Sequence, residues 1–329
     1  MKRFSLLFAA LLVTPFLYAE EGWLTSIEKA QEIAKKEGKD ILVDFTGSDW
    51  CGWCIRLKKE VFSTPKFKSE APKKFVLVVL DFPMRKKISK EQKAYNRKMA
   101  KKFGIRGYPT IILLDAQGRP FGRTGYRPGG PVSYLKHLDD FVAKRKERDA
   151  ALAKAKSATS KEEQIRAYIQ AAKAMLSVIG HYEDIVEKVF ALDPQVKLDE
   201  AGELAYYLRE YYQRRDRNKS KKYEALAKKN EKVGKAIALE EELEKSLKSV
   251  GKDINKAKTV VEEFLKKPNL PRFFKQQLVW IQAMITYRLE RKREPSEKVL
   301  GLIEKAGKLA PETRLGKQCE NILKRFRKK

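Results

Sequence analysis

Residues 40–54 read DILVDFTGSDWCGWC, and this stretch decides the fold of the first part of the chain. An apolar run typical of a buried strand is followed by two cysteines three residues apart, Cys51 and Cys54. If a helix begins at Cys51, its free N–H groups and positive dipole end favour a thiolate there. Residues i and i+3 share a helix face, so Cys54 can attack a mixed disulfide formed on Cys51. The stretch therefore predicts a redox-active dithiol.

Two other interpretations of the cysteine pair stand beside this one. A Cys-x-x-Cys can be half of a zinc site, but such a site needs two more ligands, usually as a second closely spaced pair. The remaining cysteine is Cys319, and the two histidines, His137 and His181, are isolated in the sequence. The pair could also be an inert structural disulfide. The sequence context favours the redox interpretation over both.

Two further segments extend the pattern. Residues 75–81 read FVLVVLD, a second strand-like run, and residues 103–115 read FGIRGYPTIILLD, which is typical of a turn leading into a strand. Together these motifs resemble the thioredoxin superfamily, in particular the exported bacterial thioredoxin-like proteins whose active-site segment runs Gly-Ser-Asp-Trp-Cys-x-x-Cys, here residues 47–54. The resemblance covers residues 23–142. It implies an α/β thioredoxin fold, with a central mixed sheet flanked by helices.

The resemblance also implies roles for five residues. Cys51 would be the nucleophile and Cys54 the resolving thiol. Asp44 matches the buried acidic residue that helps to move the proton of the resolving cysteine, a task that needs a carboxyl with a raised pKa. One more residue separates it from the first cysteine than in thioredoxin, so a capping or loop-binding role stays open. Pro109 would be a cis proline facing the dithiol, with Tyr108 presenting its backbone to an extended substrate segment.

The residues around the cysteines bear on substrate contact and redox direction. Trp50 and Trp53 could form an aromatic rim for the substrate, and the alternative for Trp50 is packing beneath the active-site loop. Gly52 and Trp53 supply no charge that would stabilise a thiolate, unlike a histidine in the same place. We therefore expect a reductase or exchange enzyme that acts on protein thiols or disulfides and needs no cofactor.

The first 19 residues have the pattern of a signal peptide. Met1-Lys2-Arg3 is a basic start, residues 4–16 are almost uniformly apolar, and a small residue, Ala19, precedes two glutamates. Cleavage after Ala19 would release an exported, periplasmic protein. Retention as an anchor is the alternative, although the apolar run is shorter than the ~20 residues of a spanning helix. In an oxidising compartment the dithiol needs an external electron donor or acceptor.

The chain is strongly basic. Its 72 Lys and Arg against 43 Asp and Glu give a formal net charge of +29. Such a charge can attract nucleic acid, but an exported protein rarely meets it, and no nucleic-acid-binding motif occurs in the sequence. The charge instead favours contact with an anionic surface or an acidic client protein. A solvated lysine-rich surface without a binding role is the plainer alternative.

A change of pattern near residue 150 divides the chain that follows the signal peptide. Residues 20–149 form the predicted thioredoxin-like domain, and residues 150–329 predict helices alone, as an all-α helical bundle or a short helical-repeat domain. Cys319 is expected to be buried there. The predicted helices of this region include 182–192, 199–213, 222–250, 255–266, 271–289, 296–309 and 312–327. Four tyrosines expected in its core rather than on a peptide-binding surface are Tyr206, Tyr207, Tyr211 and Tyr212.

The sequence thus predicts an exported thiol-disulfide oxidoreductase whose helical region recruits clients or partners. The competing hypothesis is a binding or assembly protein in which the helices carry the function and the dithiol has a minor redox role. Catalysis that survives removal of residues 150–329 would favour the first hypothesis over the second.

Overall fold

The computed structural model describes residues 22–311 and 313–327, so the predicted signal peptide at residues 1–19 lies outside the described residues. The chain divides into two compact units. One runs to Ala150 and also includes Ala174–Glu183, and the other comprises Ala151–Lys173 and the chain from Asp184. The segment Ala174–Glu183 therefore belongs to the same unit as the dithiol.

The first unit alternates strands and helices, as the sequence predicts. Its elements in chain order are β1 (Trp23–Leu24), α1 (Ile27–Glu37), β2 (Asp40–Thr46), α2 (Gly52–Leu57), a π-helical turn (Lys58–Phe62), α3 (Pro65–Glu70), a 3-10 turn (Ala71–Lys73), β3 (Phe75–Asp81), α4 (Lys90–Lys102), β4 (Thr110–Leu114), β5 (Pro120–Thr124) and the first part of α5 (Gly130–Ser157). A 3-10 segment, Leu176–His181, completes the unit. The predicted strand over residues 75–81 is confirmed.

The five strands form one mixed sheet in the order β1-β3-β2-β4-β5. β1, β3 and β2 are parallel, whereas β4 runs antiparallel to β2 and β5 antiparallel to β4. All seven residues of the central strand β2 are buried. The sheet and its flanking helices confirm the predicted thioredoxin fold. Because the chain leaves β2 at Thr46, the cysteine pair follows the carboxyl end of the central strand.

The two faces of the sheet bury different groups. Ile41, Val43 and Phe45 of β2 belong to one apolar core, together with residues of α1 and α4. Since successive side chains of a strand point to opposite faces, Leu42 and Asp44 lie on the other face. Rings that pack on one another elsewhere in this unit are Trp23, Phe62, Phe67 and Tyr134, with centroid separations of 4.9–5.9 Å.

A buried ionic cluster ties α5 and the segment Ala174–Glu183 to the sheet. Arg148 is 5% exposed and donates to Asp115 at 2.9 Å, to the Tyr182 hydroxyl at 2.5 Å and to Asp149 at 2.6 Å. The guanidinium of Arg119 lies 3.8 Å from the centre of the Tyr182 ring. A buried charge is tolerated when its hydrogen-bonding capacity is satisfied. Arg148 therefore contributes to the fold by pairing with the buried Asp115 carboxylate and the buried Tyr182 hydroxyl.

Asp40, at the start of β2, is a neighbour of this cluster. Its side chain accepts a bond from Arg145 Nε at 3.1 Å, and Arg145 also bonds to Asp149 at 2.7 Å. Burial raises the pKa of Asp40 from 3.8 to about 6; the positive charge of Arg145 opposes this rise, and the negative charges of Asp115 and Asp149 add to it. Asp40 is therefore a carboxyl that changes charge just below neutral pH.

We expect Asp40 to make the folded state less stable as the pH rises from about 4 to about 7. Its pKa is higher in the folded chain than in the unfolded chain, so the folded state holds a proton over this range that the unfolded state has lost. The contribution lost through the transition is roughly 1–3 kcal/mol. Urea unfolding of the wild type and of Asp40→Asn at pH 4.5 and 7.5 measures it. If the free energy of unfolding changes equally between pH 4.5 and pH 7.5 in both proteins, the assignment of this effect to Asp40 is contradicted.

In its described residues, the second unit contains helices and connecting turns but no strand. Besides the end of α5, its helices are α6 (Lys161–Ala174), α7 (Glu183–Leu192), α8 (Asp199–Tyr212), α9 (Arg217–Lys229), α10 (Glu231–Ser249), α11 (Ile254–Lys266), α12 (Arg272–Glu290), α13 (Glu297–Leu309) and α14 (Arg314–Phe326). From α8 onward, each helix packs mainly on the helix before or after it in sequence. This arrangement confirms the helical region that the sequence predicts.

One predicted helix of this unit is wrong. The pattern over residues 222–250 predicts a single helix, but α9 ends at Lys229 and α10 begins at Glu231. Asn230 between them has extended backbone angles, and its side-chain oxygen accepts a bond from the Val233 N–H at 3.0 Å. Its amide also donates to the Val196 carbonyl at 3.2 Å. Asparagine is a strong helix N-cap, and here it starts a new helix inside an otherwise helical pattern.

The predicted burial of the tyrosines and of Cys319 is largely confirmed. Tyr206, Tyr207 and Tyr212 are 3–6% exposed, whereas Tyr211 is half-buried. Cys319 is fully buried in an apolar cluster of α12, α13 and α14, and burial raises the pKa of its thiol to about 11. A thiol with a raised pKa in an apolar setting is chemically inert.

Candidate active site

Cys51 and Cys54 form a disulfide at the N-terminus of α2. Cys51 is the N-cap residue: its Sγ accepts a hydrogen bond from the Cys54 N–H at 3.3 Å, and its own N–H donates to the Gly47 carbonyl at 2.9 Å. In this disulfide both residues are buried, Cys51 at 7% and Cys54 at 3% exposure. The first turn of α2, with its free N–H groups and positive dipole end, lies at Cys51, and a negative charge is favoured at this end of a helix.

Gly47 allows the loop before the cysteines to close tightly. Its N–H donates to Cys54 Sγ at 3.5 Å, and the Trp50 ring lies directly against its Cα. A Cβ at this position would stand 2.5 Å from the ring, which is far inside contact distance. Only glycine fits this close approach. Trp50 itself is 40% exposed and donates from its indole nitrogen to the Phe82 carbonyl at 2.8 Å.

Two carboxylates that the sequence analysis did not single out hold this loop. Asp81, the last residue of β3, accepts bonds from the Ser48 N–H at 2.9 Å and from its hydroxyl at 2.6 Å. Asp49 accepts three backbone N–H bonds, from Met84, Arg85 and Lys86, at 2.7–2.9 Å. These hydrogen bonds, from Lys86 and Met84 foremost, lower the pKa of the Asp49 carboxyl. The two carboxylates join the loop after β2 to the loop after β3.

The peptide bond between Tyr108 and Pro109 is cis, as the resemblance predicts. The Tyr108 ring packs edge-on against Trp50, at 5.8 Å between centroids, and tilted against Phe82, at 5.1 Å. Burial raises the pKa of the Tyr108 hydroxyl. The cis-proline turn is thus in ring contact with the residue that precedes Cys51.

Asp44 lies in the middle of β2, on the sheet face opposite the core that contains Phe45. It is 7% exposed and stands between Val79 of β3 and Ile111 of β4. Burial, followed by the negative charge of Asp44, raises the pKa of the Tyr134 hydroxyl, which donates to the Gly125 carbonyl at 3.1 Å. Asp44 is therefore a buried carboxyl on the strand that leads to Cys51, seven residues before it.

Trp53, between the two cysteines, is the most exposed aromatic residue of the site, at 56%. Its ring packs on Tyr126 at 5.1 Å, and Arg56 lies over both rings at 5.7 and 5.4 Å. Glu60, in the π-helical turn, accepts from the Tyr126 hydroxyl at 2.7 Å and from Arg56 at 2.6 Å. These two bonds, that of Tyr126 first, lower the pKa of Glu60. Of these contacts, the sequence indicates only the pair Arg56 and Glu60, which are four residues apart in a helical segment.

The described residues offer neither a metal-binding cluster nor a helix that could span a membrane. Among the described residues, no group of three or more His, Cys, Asp or Glu side chains is placed to hold a metal ion. Over the same residues, every helix is too short or too polar to cross a membrane.

Comparison with known proteins agrees with this geometry. Residues 27–141 match the family described as thioredoxin-like domain. The chain is 33% identical over 121 residues to the disulfide bond reductase DsbH of Chlamydia pneumoniae, a match that covers 37% of this chain and 72% of DsbH. It is 31% identical to the thioredoxin-related protein DsbJ of the same organism, over 31% of this chain and 30% of DsbJ.

A solved structure titled DsbH oxidoreductase is 31% identical, with a TM-score of 0.35, and the match covers 37% of this chain and 83% of that one. The sequence match to DsbH covers 72% of that protein, and the family match over residues 27–141 contains the cysteine pair. The chain belongs to the thioredoxin-like family and is a thiol-disulfide oxidoreductase.

Proposed function

We propose that the protein reduces or exchanges disulfides of other proteins, through the dithiol Cys51-Gly52-Trp53-Cys54, after export from the cytoplasm. The observation that carries this proposal is the Cys51–Cys54 disulfide at the start of α2, with the cis-proline turn packed on the adjacent Trp50. The name of the relative DsbH, a disulfide bond reductase, supports the direction of the reaction.

The proposed reaction has two exchange steps. The Cys51 thiolate attacks one sulfur of a substrate disulfide, the substrate S–S bond breaks, and its other sulfur leaves as a thiolate that takes up a proton. Cys54 then loses its proton and attacks Cys51 Sγ, which releases the second substrate thiol and closes the Cys51–Cys54 disulfide. Two electrons have passed to the substrate, so an external dithiol donor must reduce the pair before the next turnover.

Asp44 is proposed to accept the proton of Cys54 in the second step. It is a buried carboxyl in the middle of the central strand, which leads to the cysteine pair. This role predicts that Asp44→Asn slows release of the mixed disulfide more than its formation. The substrate segment is proposed to lie along Tyr108 and Pro109 in an extended form, with Trp50 and Trp53 as aromatic contacts beside the dithiol.

The reduction potential of the full chain tests the proposed direction. The residues between the cysteines carry no charge, so we expect a potential of about −200 to −270 mV, the range of glutaredoxins and thioredoxin. Equilibration with glutathione buffers of known potential, followed by trapping of free thiols, measures it. A potential near about −120 mV would mark a strong oxidant instead. A reducing potential without electron transfer to any protein disulfide would favour the alternative, a binding or assembly protein.

Export is proposed from residues 1–19, with cleavage after Ala19. The electron donor would then be a separate protein of the cell envelope. Mass spectrometry of the protein from a bacterial host should find a chain that begins at Glu20; a chain that retains Met1 would contradict cleavage. The helical region is proposed to recruit clients, and its basic side chains suit acidic partners or an anionic surface.

A further inference from the structure

The loop after β3 carries an unusual set of side chains. Between the end of β3 and Ser89, the N-cap of α4, residues 84–87 read Met-Arg-Lys-Lys, and all four are exposed, Met84 at 74%. Among the described residues, no carboxylate forms an ion pair with Arg85, Lys86 or Lys87. We call residues 84–87 the basic loop. Three cations without acidic partners give this surface a positive potential.

Asp49 fixes the basic loop beside the active site. Its two carboxylate oxygens accept the backbone N–H bonds of Met84, Arg85 and Lys86, which directs the side chains of these residues away from the loop's own backbone and towards solvent. The indole of Trp50 bonds to the carbonyl of Phe82 at 2.8 Å. Phe82 and Trp50 both pack on Tyr108, the residue before the cis proline. The basic loop is therefore held by Asp49, and Phe82, two residues before it, contacts Trp50 and Tyr108.

The basic loop is joined to the cysteine segment through Asp49. Asp49 precedes Cys51 by two residues, so their Cα atoms are at most about 7 Å apart. Charges act over about 10 Å at moderate salt. Asp49 bonds to backbone N–H groups and Asp81 to Ser48, and these two carboxylates offset part, but not all, of the charge of the three cations. The exposed Arg106, two residues before Tyr108, adds a further cation on the cis-proline side.

We propose that the basic loop, positioned by Asp49, selects protein substrates whose disulfide is flanked by acidic residues. Arg85 and Lys86 attract the acidic side chains to the dithiol, and Met84 offers an apolar contact beside them. Asp49 is a positioning residue: it touches the backbone of the loop and no reacting atom. This inference rests on the proposed reduction of protein disulfides and names the substrate class of that same site.

Three synthetic peptides test the proposal with the reduced full-chain protein. They share one disulfide and differ only in the residues flanking one cysteine, which are glutamate, glutamine or lysine. Acid-quenched samples give the rate of peptide thiol formation by mass spectrometry. We expect the glutamate peptide to react about 10-fold faster than the glutamine peptide at low salt, and the lysine peptide to react slowest. At about 0.5 M salt the preference should fall to about 2-fold or less, because salt screens exposed charges.

Matched variants separate the loop from the overall charge of the protein. In Arg85→Gln/Lys86→Gln the ratio of glutamate to glutamine peptide rates should fall to about 2 or less. Lys35→Gln/Lys36→Gln removes the same charge from the exposed last turn of α1, at the other end of the sheet, and should keep the wild-type ratio. Asp49→Asn leaves one acceptor oxygen and turns an NH₂ group towards the loop's N–H donors, so its ratio should also fall.

Each outcome decides the inference. Equal rates for the glutamate and glutamine peptides in the wild type would overturn it, as would a preference that survives Arg85→Gln/Lys86→Gln or is lost in Lys35→Gln/Lys36→Gln. A preference lost in the loop variant but kept in Asp49→Asn would overturn the role given to Asp49. Reduction of none of the three peptides would instead contradict the proposed function, which makes the two failures distinguishable.

Discussion

The Cys51→Ser variant is expected to lose protein disulfide reduction by at least about 10³-fold, the scale on which removal of a covalent nucleophile acts. A serine hydroxyl does not form a disulfide, so the first exchange step has no nucleophile. Cys54→Ser should behave differently, because Cys51 remains at the N-terminus of α2 and can still attack the substrate. This variant should accumulate a mixed disulfide with the substrate, visible as a mass increase that dithiothreitol removes.

Cys319→Ala is the matched control for these two variants. Cys319 is fully buried in the helical unit, and burial raises the pKa of its thiol to about 11, so the substitution should leave the reduction rate unchanged. The opposite pattern, with trapping by Cys51→Ser and loss of the first step in Cys54→Ser, would contradict the role of the helix N-terminus. Loss of activity in Cys319→Ala would show that the redox chemistry is not confined to the first unit.

The parts of the fold that the sequence predicts are those encoded within short stretches. The strand–cysteine stretch over residues 40–54 specifies β2, the start of α2 and the place of the disulfide, since each step depends on neighbours in sequence. The turn before β4 is equally local, and its cis proline is confirmed. The resemblance carried by these motifs is sufficient to predict the family and the mixed sheet.

The remaining parts depend on partners far apart in sequence. Asp49 bonds to backbone groups 35–37 residues away and Ser48 to a carboxylate 33 residues away, and neither spacing has a periodic signature. Tyr126 reaches Glu60 across 66 residues. Asn230 ends one helix and starts the next because it also bonds to Val196, a contact that a helical pattern does not reveal. In the sequence, polar and charged residues of this kind look like solvated surface, because their partners lie far away along the chain.

Arg148 is the sharpest case of a residue that looks like surface in the sequence. It lies in a charged run of α5, yet its side chain is 6% exposed, and Asp115, to which it bonds, is 8% exposed. Removal of one partner of a buried ion pair leaves the other charge uncompensated, which typically costs about 3–5 kcal/mol. Asp115 keeps its backbone bonds to Gln117 and Arg119, which limits but does not cancel the loss.

We therefore expect Arg148→Ala to lower the free energy of unfolding of the first unit by about 3 kcal/mol or more. Trp23, Trp50 and Trp53 lie in that unit and only Trp280 in the other, so tryptophan fluorescence in urea reports mainly on the first unit. Lys144→Ala, in the same helix, removes an exposed pair with Glu147 and should cost less than about 1 kcal/mol. Because Arg148 also holds Tyr182, its loss should speed amide hydrogen exchange in Ala174–Glu183 more than in β2. A cost as small as that of Lys144→Ala would mean that the buried cluster does not stabilise the fold.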